Sequence, residues 1–161
     1  MSHSDDVMTP EYWAAACAHL SKKDRVMKRL IPQFGDACLV SRGDAFVTLA
    51  RSIVGQQISV KAAQSVWNKF AALSKKITPA GVLKLKVDDM RAAGLSARKV
   101  EYLVDLALNF HGKNVSVKEW QQMDDEAIID ELVAIRGIGR WTAEMFLIFH
   151  LMRPNVLPLD D

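Results

Sequence analysis

The sequence predicts an all-α fold, compact and built from many short helices, and three observations carry that prediction. Apolar residues recur at the three- and four-residue spacing of helix faces. No segment alternates apolar and polar residues in the manner of a half-buried strand. Segment after segment opens on a capping residue and stops at glycine or proline. The 161 residues are 50% hydrophobic and 25% charged, with 8 glycines and 5 prolines, which excludes disordered and collagen-like sequence. A chain of this length makes one compact domain, or two small lobes, and buries roughly two-thirds of its unfolded surface.

The elements follow in order. Thr9 before Pro10 predicts a helix through Trp13, Ala16 and Leu20, because threonine caps free amides and proline suits the first turn. Ser21 and Asp24 cap a second segment whose Val26, Met27, Leu30 and Ile31 share one face before Pro32 and Gly35. From Asp44, the positions Phe46, Leu49, Ala50, Ile53 and Val54 predict a core-facing helix ending at Gly55. After the GQQ turn, Ser59 caps a helix with Ala63, Trp67 and Phe70 inward. Thr78-Pro79 starts a short helix, Asp88 caps one ending at Gly94, and Ser96 caps a longer one through Leu103, Leu106 and Phe110 to Gly112. Ser116 and Asp124 suggest two further caps. The second opens DDEAIIDELVAI, which ends at a glycine turn and restarts as WTAEMFLIFHL, an almost wholly apolar helix expected at the centre of the fold and stopped by Pro154. That makes about nine helices, with Trp13, Trp67 and Trp120 expected in the core.

Charge and special residues narrow the function classes. A net charge of +2 and a pI near 8.6 suit nucleic acid without demanding it, so any grip on a polyanion must be local. The longest apolar run, Met145 to Met152, is too short for a membrane span and contains His150. The polar, acidic start MSHSDDVM has neither the apolar stretch of a secretory signal nor the basic character of a transit peptide. The expectation is an intracellular protein, in the cytoplasm of a bacterium or the nucleus of a eukaryote. Cys17 and Cys38 cannot make a disulfide framework or complete a zinc or iron–sulfur site, and are expected as buried apolar fillers. His111 and His150 lack partners at ligand spacing, so no metal chemistry is assigned to them.

The informative segment is LVAIRGIGRWTA, Leu132 to Ala143. Gly137 and Gly139 bracket Ile138 between two amphipathic helices and permit a tight turn, with Ile138 tucked into the helix pair. Several amides then point one way, beside the positive end of the following helix, which makes a pocket for a phosphate. A plain helix connection without ligand is the other reading of GxG alone. The segment resembles the helix-hairpin-helix motif of base-excision DNA glycosylases, the HhH-GPD superfamily. IVGQQISVKAA (Ile53 to Ala63), GLSARKVEYLVDLA (Gly94 to Ala107) and VLPLDD (Val156 to Asp161) are similar to further family segments, in the family's order. Together they span about two-thirds of the chain. The likeness is greatest to the alkylation-repair branch, DNA-3-methyladenine glycosylase II.

The resemblance implies one glycosylase domain over residues 1–161, in two helical lobes, with the helix-hairpin-helix at about 125–151. It also implies that the family's C-terminal helices are missing, so the chain is expected to be a fragment or part of something longer. Such enzymes extrude a base from the duplex. Gly137, Ile138, Gly139, Arg140 and Thr142 would hold the backbone, and the carbonyls of Val133, Ile135 and Ile138 could hold a sodium or potassium ion bridging to phosphate. No other cofactor is expected. Arg136, Lys61 and Arg98 would add salt-dependent affinity, or serve only as solvated charges. Asp161, twenty residues after Trp141, would be the catalytic carboxylate that stabilises an oxocarbenium-like sugar or activates water, with Asp160 as the neighbouring alternative.

Trp141 stands where strand-cleaving relatives carry a lysine, and an indole cannot form a Schiff base, so monofunctional hydrolysis is implied. Its ring could stack on a cationic alkylated purine, or simply pack in the core. Gln57 matches the family's intercalating position, and Gln56 and Gln57 together could reach the gap left by the everted nucleotide. Ordinary loop amides are the alternative. The implied partner is duplex DNA carrying alkylated bases, bound by a monomer away from membranes. Two other readings stay open: a helix-hairpin-helix module that binds DNA without excision, and a glycosylase for another lesion.

Overall fold

The structure, a computed structural model, describes residues 9–41 and 43–159. Among these, nine α-helices and no strand are present: α1 (Trp13–Lys23), α2 (Arg25–Leu30), α3 (Ala45–Gly55), α4 (Val60–Ala71), α5 (Pro79–Val82), α6 (Val87–Ala92), α7 (Ala97–His111), α8 (Asp125–Val133) and α9 (Arg140–Phe149), with a 3-10 turn at Ile31–Phe34. The all-α prediction holds. Most starts follow from local chemistry, because a side-chain oxygen satisfies one of the amides that a helix leaves unpaired. Asp44, Ser59, Thr78, Ser96 and Asp124 each accept a backbone N–H at the head of α3, α4, α5, α7 and α8.

The core is assembled from α3 onward. α3 packs against α4, α7 and α9, α7 against α5 and α6, and α8 against α9. Phe46, Leu49 and Ile53 of α3 meet Leu103 and Leu106 of α7, Ile128 and Leu132 of α8, and Leu147 of α9 in one buried cluster. An aromatic chain runs through it, Phe46 to Phe110 to Trp120 to Phe146, ring centres 5.5, 6.3 and 5.5 Å apart in edge-on geometry.

Several local expectations are corrected. α1 starts at Trp13, after a turn in which the Pro10 carbonyl accepts from the Trp13 amide, so Thr9 caps nothing. Ser21 lies inside α1, and Asp24 alone caps α2, accepting from Val26 and Met27 at 2.8 Å each. Asp88 lies in the first turn of α6, whose cap position is Lys86. Ser116 opens a short turn instead of a helix. Its amide and the Trp120 indole N–H both donate to the Glu131 carboxylate, which brings Trp120 into the core without a helix to carry it. α9 ends at Phe149, before Pro154, and is apolar on only part of its circumference.

The largest correction concerns α1, α2 and the 3-10 turn, which bury no residue. The face that Val26 and Leu30 share does not reach the core: α2 packs on α1 and the 3-10 turn, and both side chains are exposed. Trp13 is half-buried. It lines a cavity of about 570 Å³ with Cys17, Phe34 and Cys38. Cys17 is half-buried and Cys38 exposed, so neither is the buried filler expected.

Candidate nucleic-acid interface

The hairpin joins α8 to α9 through residues 134–139, and its two glycines meet different demands. Gly137 has φ +88°, and a Cβ there would lie 2.3 Å from the Tyr102 ring of α7, so only glycine fits. Gly139 is the N-cap of α9 with φ −91° and open space around it. Because glycine offers no capping oxygen, the first amides of α9 receive no side-chain cap, in contrast to α8, where Asp124 supplies one. An anion placed there would meet the positive end of the helix. Ile138 is buried, and its amide donates to the Ile135 carbonyl at 3.1 Å. It therefore anchors the turn, and its amide is not available to a phosphate. Of the three carbonyls the sequence singled out for a monovalent cation, that of Ile135 accepts from the Ile138 amide, whereas those of Val133 and Ile138 accept no backbone hydrogen bond outside the helices among the described residues.

The basic residues of the hairpin are already engaged. Arg140 forms a bidentate pair with Glu126, at 2.5 and 3.0 Å, and a further bond of 3.0 Å to the buried Glu144. The hydrogen bond from Arg140 holds the Glu126 carboxyl below the usual carboxylate range, and the two carboxylates push the guanidinium pKa further up. Arg136 donates its backbone amide to Asp105 and its side chain to Glu101. The expected phosphate contact by Arg140 competes with these two glutamates.

The remaining candidates converge. Gln56, Gln57, Trp141 and Thr142 line a single groove of about 480 Å³ together with Arg51, Ser52 and Gly55. α3 and the α3–α4 turn form one wall, and the start of α9 forms the other. Ser52 and Thr142 are shared with an adjoining chamber of about 300 Å³, walled by Thr48, Leu49, Met145, Phe146 and Phe149. Trp141 is 47% exposed, so it belongs to the groove surface and not to the core. Gln57 sits just beyond α3 in the left-handed region, φ +58°, where helices usually place glycine or asparagine. Holding it there costs about 1 kcal/mol or more, which the surrounding structure must offset. Gln56, by contrast, is turned inward: its side-chain amide donates to the Gly137 carbonyl at 2.8 Å.

Three contributions escaped the sequence reading. Arg51 lies 4.8 Å over the Trp67 ring and pairs with no carboxylate among the described residues, which leaves a cation on the groove wall. Met145, one helical turn beyond Trp141, extends the wall into the apolar chamber, as i,i+4 spacing on α9 would have shown. Lys99 Nζ donates to the carbonyls of Val54 and Gln56 at the end of α3. Asp161 and Asp160 lie outside the described residues. The chain leading to them passes the Arg140–Glu144 side of α9, where Asn155 to Leu157 and Leu159 line a cavity with Asp125 and Glu126.

A short glycine turn between α8 and α9, an uncapped helix start and a facing polar turn across a groove define a helix-hairpin-helix protein. Comparison with known proteins settles the family: residues 50–145 match the HhH-GPD superfamily of base excision DNA repair proteins, and the chain belongs to it. It is 35% identical over 150 residues to DNA-3-methyladenine glycosylase 1 of Schizosaccharomyces pombe, covering 89% of this chain and 66% of that one. Among solved structures, a DNA-3-methyladenine glycosidase of Bacillus halodurans superposes with a TM-score of 0.77 at 30% identity, over 88% of this chain and 66% of the other. The S. pombe 3-methyladenine DNA glycosylase in complex with abasic DNA superposes with a TM-score of 0.76 at 34% identity, over 91% and 75%. The chain thus spans about two-thirds of the length of the curated S. pombe relative.

Proposed function

We propose that the chain carries the DNA-binding and base-excising domain of a glycosylase that hydrolyses the N-glycosidic bond of alkylated purines, of the 3-methyladenine type. The observation that carries this is the single groove shared by Trp141, Thr142 and Gln57, which opens next to the uncapped start of α9. The names of the relatives support the lesion class, and the complex of one of them with abasic DNA supports a duplex partner.

In this reading the amides of Gly139 and the first turn of α9 hold one phosphate, and Arg51 meets a second from the opposite wall. A sodium or potassium ion on the Val133, Ile135 and Ile138 carbonyls would add positive charge at the same phosphate. Gln57 enters the duplex as the target nucleotide leaves it. The cost of unstacking is a few kcal/mol and is least for a damaged base. The extruded base stacks on Trp141, where a cationic alkylpurine gains about 1–2 kcal/mol of cation–π attraction once desolvated. Met145, Phe146 and Phe149 wall the chamber beyond. Such a base is a good leaving group, so the demand on the protein is to stabilise the developing positive sugar and supply water. Asp161 is assigned that role by its position after Trp141. The indole at position 141 offers no amine, so cleavage stops at an abasic site.

The reading is tested by incubating duplex DNA treated with a methylating agent with the protein and measuring free bases by chromatography. Release of methylated purines, with the strand intact until alkali is added, is expected. Binding without release of any base would instead identify a DNA-binding module.

A further inference from the structure

The two walls of the groove are connected by more than packing. Lys99, in the first turn of α7, donates from Nζ to the Val54 carbonyl at 2.7 Å and to the Gln56 carbonyl at 2.8 Å. Gln56 in turn donates from Nε2 to the Gly137 carbonyl at 2.8 Å, across 81 positions of sequence. Among the described residues the Val54 and Gln56 carbonyls accept no backbone amide outside the helices, and they lie at the negative end of the α3 dipole, so an ammonium group is the natural cap. Burial draws the Lys99 pKa below its ordinary 10.5, as expected for an amine enclosed against backbone oxygens. The residue between these tethers and the groove is Gln57, held at φ +58°.

We propose that Lys99 and Gln56 are positioning residues that tie the turn bearing Gln57 to the hairpin bearing Gly137, so that the phosphate grip and the inserted amide meet the duplex as one preorganised unit. This rests on the DNA-binding reading above. It also reassigns Gln56, whose amide is committed to the Gly137 carbonyl and not to the nucleotide. Losing the tether should leave the phosphate grip intact but loosen the Gln57 turn. A purely structural role would lower global stability and leave the DNA response of the folded protein unchanged.

Two measurements test it on Gln56→Met and Lys99→Met, with Lys99→Arg as the conservative control. The first is amide hydrogen exchange of the free protein. Exchange at Ile58, whose amide donates to the Gly55 carbonyl, should rise about fivefold in Gln56→Met, the scale of one lost neutral hydrogen bond, and by more in Lys99→Met, which loses two charge-assisted ones, with α8 and α9 core amides unchanged. The second is fluorescence of a duplex carrying 2-aminopurine beside an abasic-site analogue. At saturating protein the methionine variants should give about a fivefold smaller rise than wild type, while the salt dependence of binding stays the same and Lys99→Arg recovers most of the response. Unchanged exchange and a wild-type fluorescence rise in both variants would overturn the tether. Altered exchange in a protein whose wild type does not bind the duplex would retain the tether and overturn the DNA-binding reading.

Discussion

Gly137 and Gly139 look equivalent in the sequence and are not. Gly137→Ala must place a methyl group inside the Tyr102 ring and hold an alanine at φ +88°. The expected loss is about 2–4 kcal/mol of folding free energy, read from urea unfolding. Gly139→Ala meets neither obstacle and should stay within about 1 kcal/mol of wild type, the ordinary difference between these residues at an N-cap. Equal losses would show that the close approach of α7 to the hairpin is wrong. Among the arginines, Arg51 faces the groove and pairs with no carboxylate among the described residues, whereas Arg140 is held by Glu126 and Glu144. Arg51→Met should therefore lower the slope of log affinity against log salt by about 0.9, one phosphate contact, and Arg140→Met by much less. The reverse order would return Arg140 to the role expected from sequence. These distinctions were illegible there, because pairing with Glu126 and stacking on Trp67 are tertiary facts.

At the scale of elements, helices with a side-chain cap and a periodic apolar face were legible. α3, α4, α7 and α8 start at Asp44, Ser59, Ser96 and Asp124 as their sequences require. The failures share a cause. A serine or threonine also satisfies turns and loops, so Ser116 carried the cap signal without a helix, and Thr9 carried it three residues before the cap position of α1 at Tyr12. The end of α3 at Gly55 was legible, but the residue that turns the chain was not. Gly55 stays helical, and the left-handed residue is Gln57, a side chain that no local rule places there. α9 ends on a titratable group. His150 stacks on Phe146 with ring centres 4.5 Å apart, and its Nδ1 lies 3.2 Å from the Thr48 hydroxyl. Burial lowers its pKa from the ordinary 6.5, and Asp44 only partly opposes this. The folded state then binds the proton less readily than the unfolded one. Its contribution is complete above pH 6.5 and is lost as pH falls from there through the lowered value. Melting temperature should drop between about pH 7 and pH 5 in wild type, and the His150→Gln variant should show a shallower slope. Parallel curves would remove His150 as the cause.

For the whole molecule, the sequence disclosed the family segments and their order but not how they assemble. The hairpin, the QQ turn and Trp141 were singled out separately, and the fold brings them to one groove by packing α9 against α3. The Lys99 tether that fixes their spacing joins positions far apart in the chain and has no local signature. Trp13 was expected in the core and is only half-buried, because helical spacing says that a face can pack, not what it packs against. Buried residues in helices begin with α3, and no described helix is long and apolar enough to cross a membrane.

The central claim is that a carboxylate serves an extruded nucleotide in the Trp141 groove. Its most direct test is single-turnover release of methylated purine from alkylated duplex DNA by wild type and Asp161→Asn, with affinity for abasic-site DNA measured in parallel. A fall in the release rate of about 100-fold or more, with affinity retained, is predicted. Equal rates in the two proteins would contradict the account.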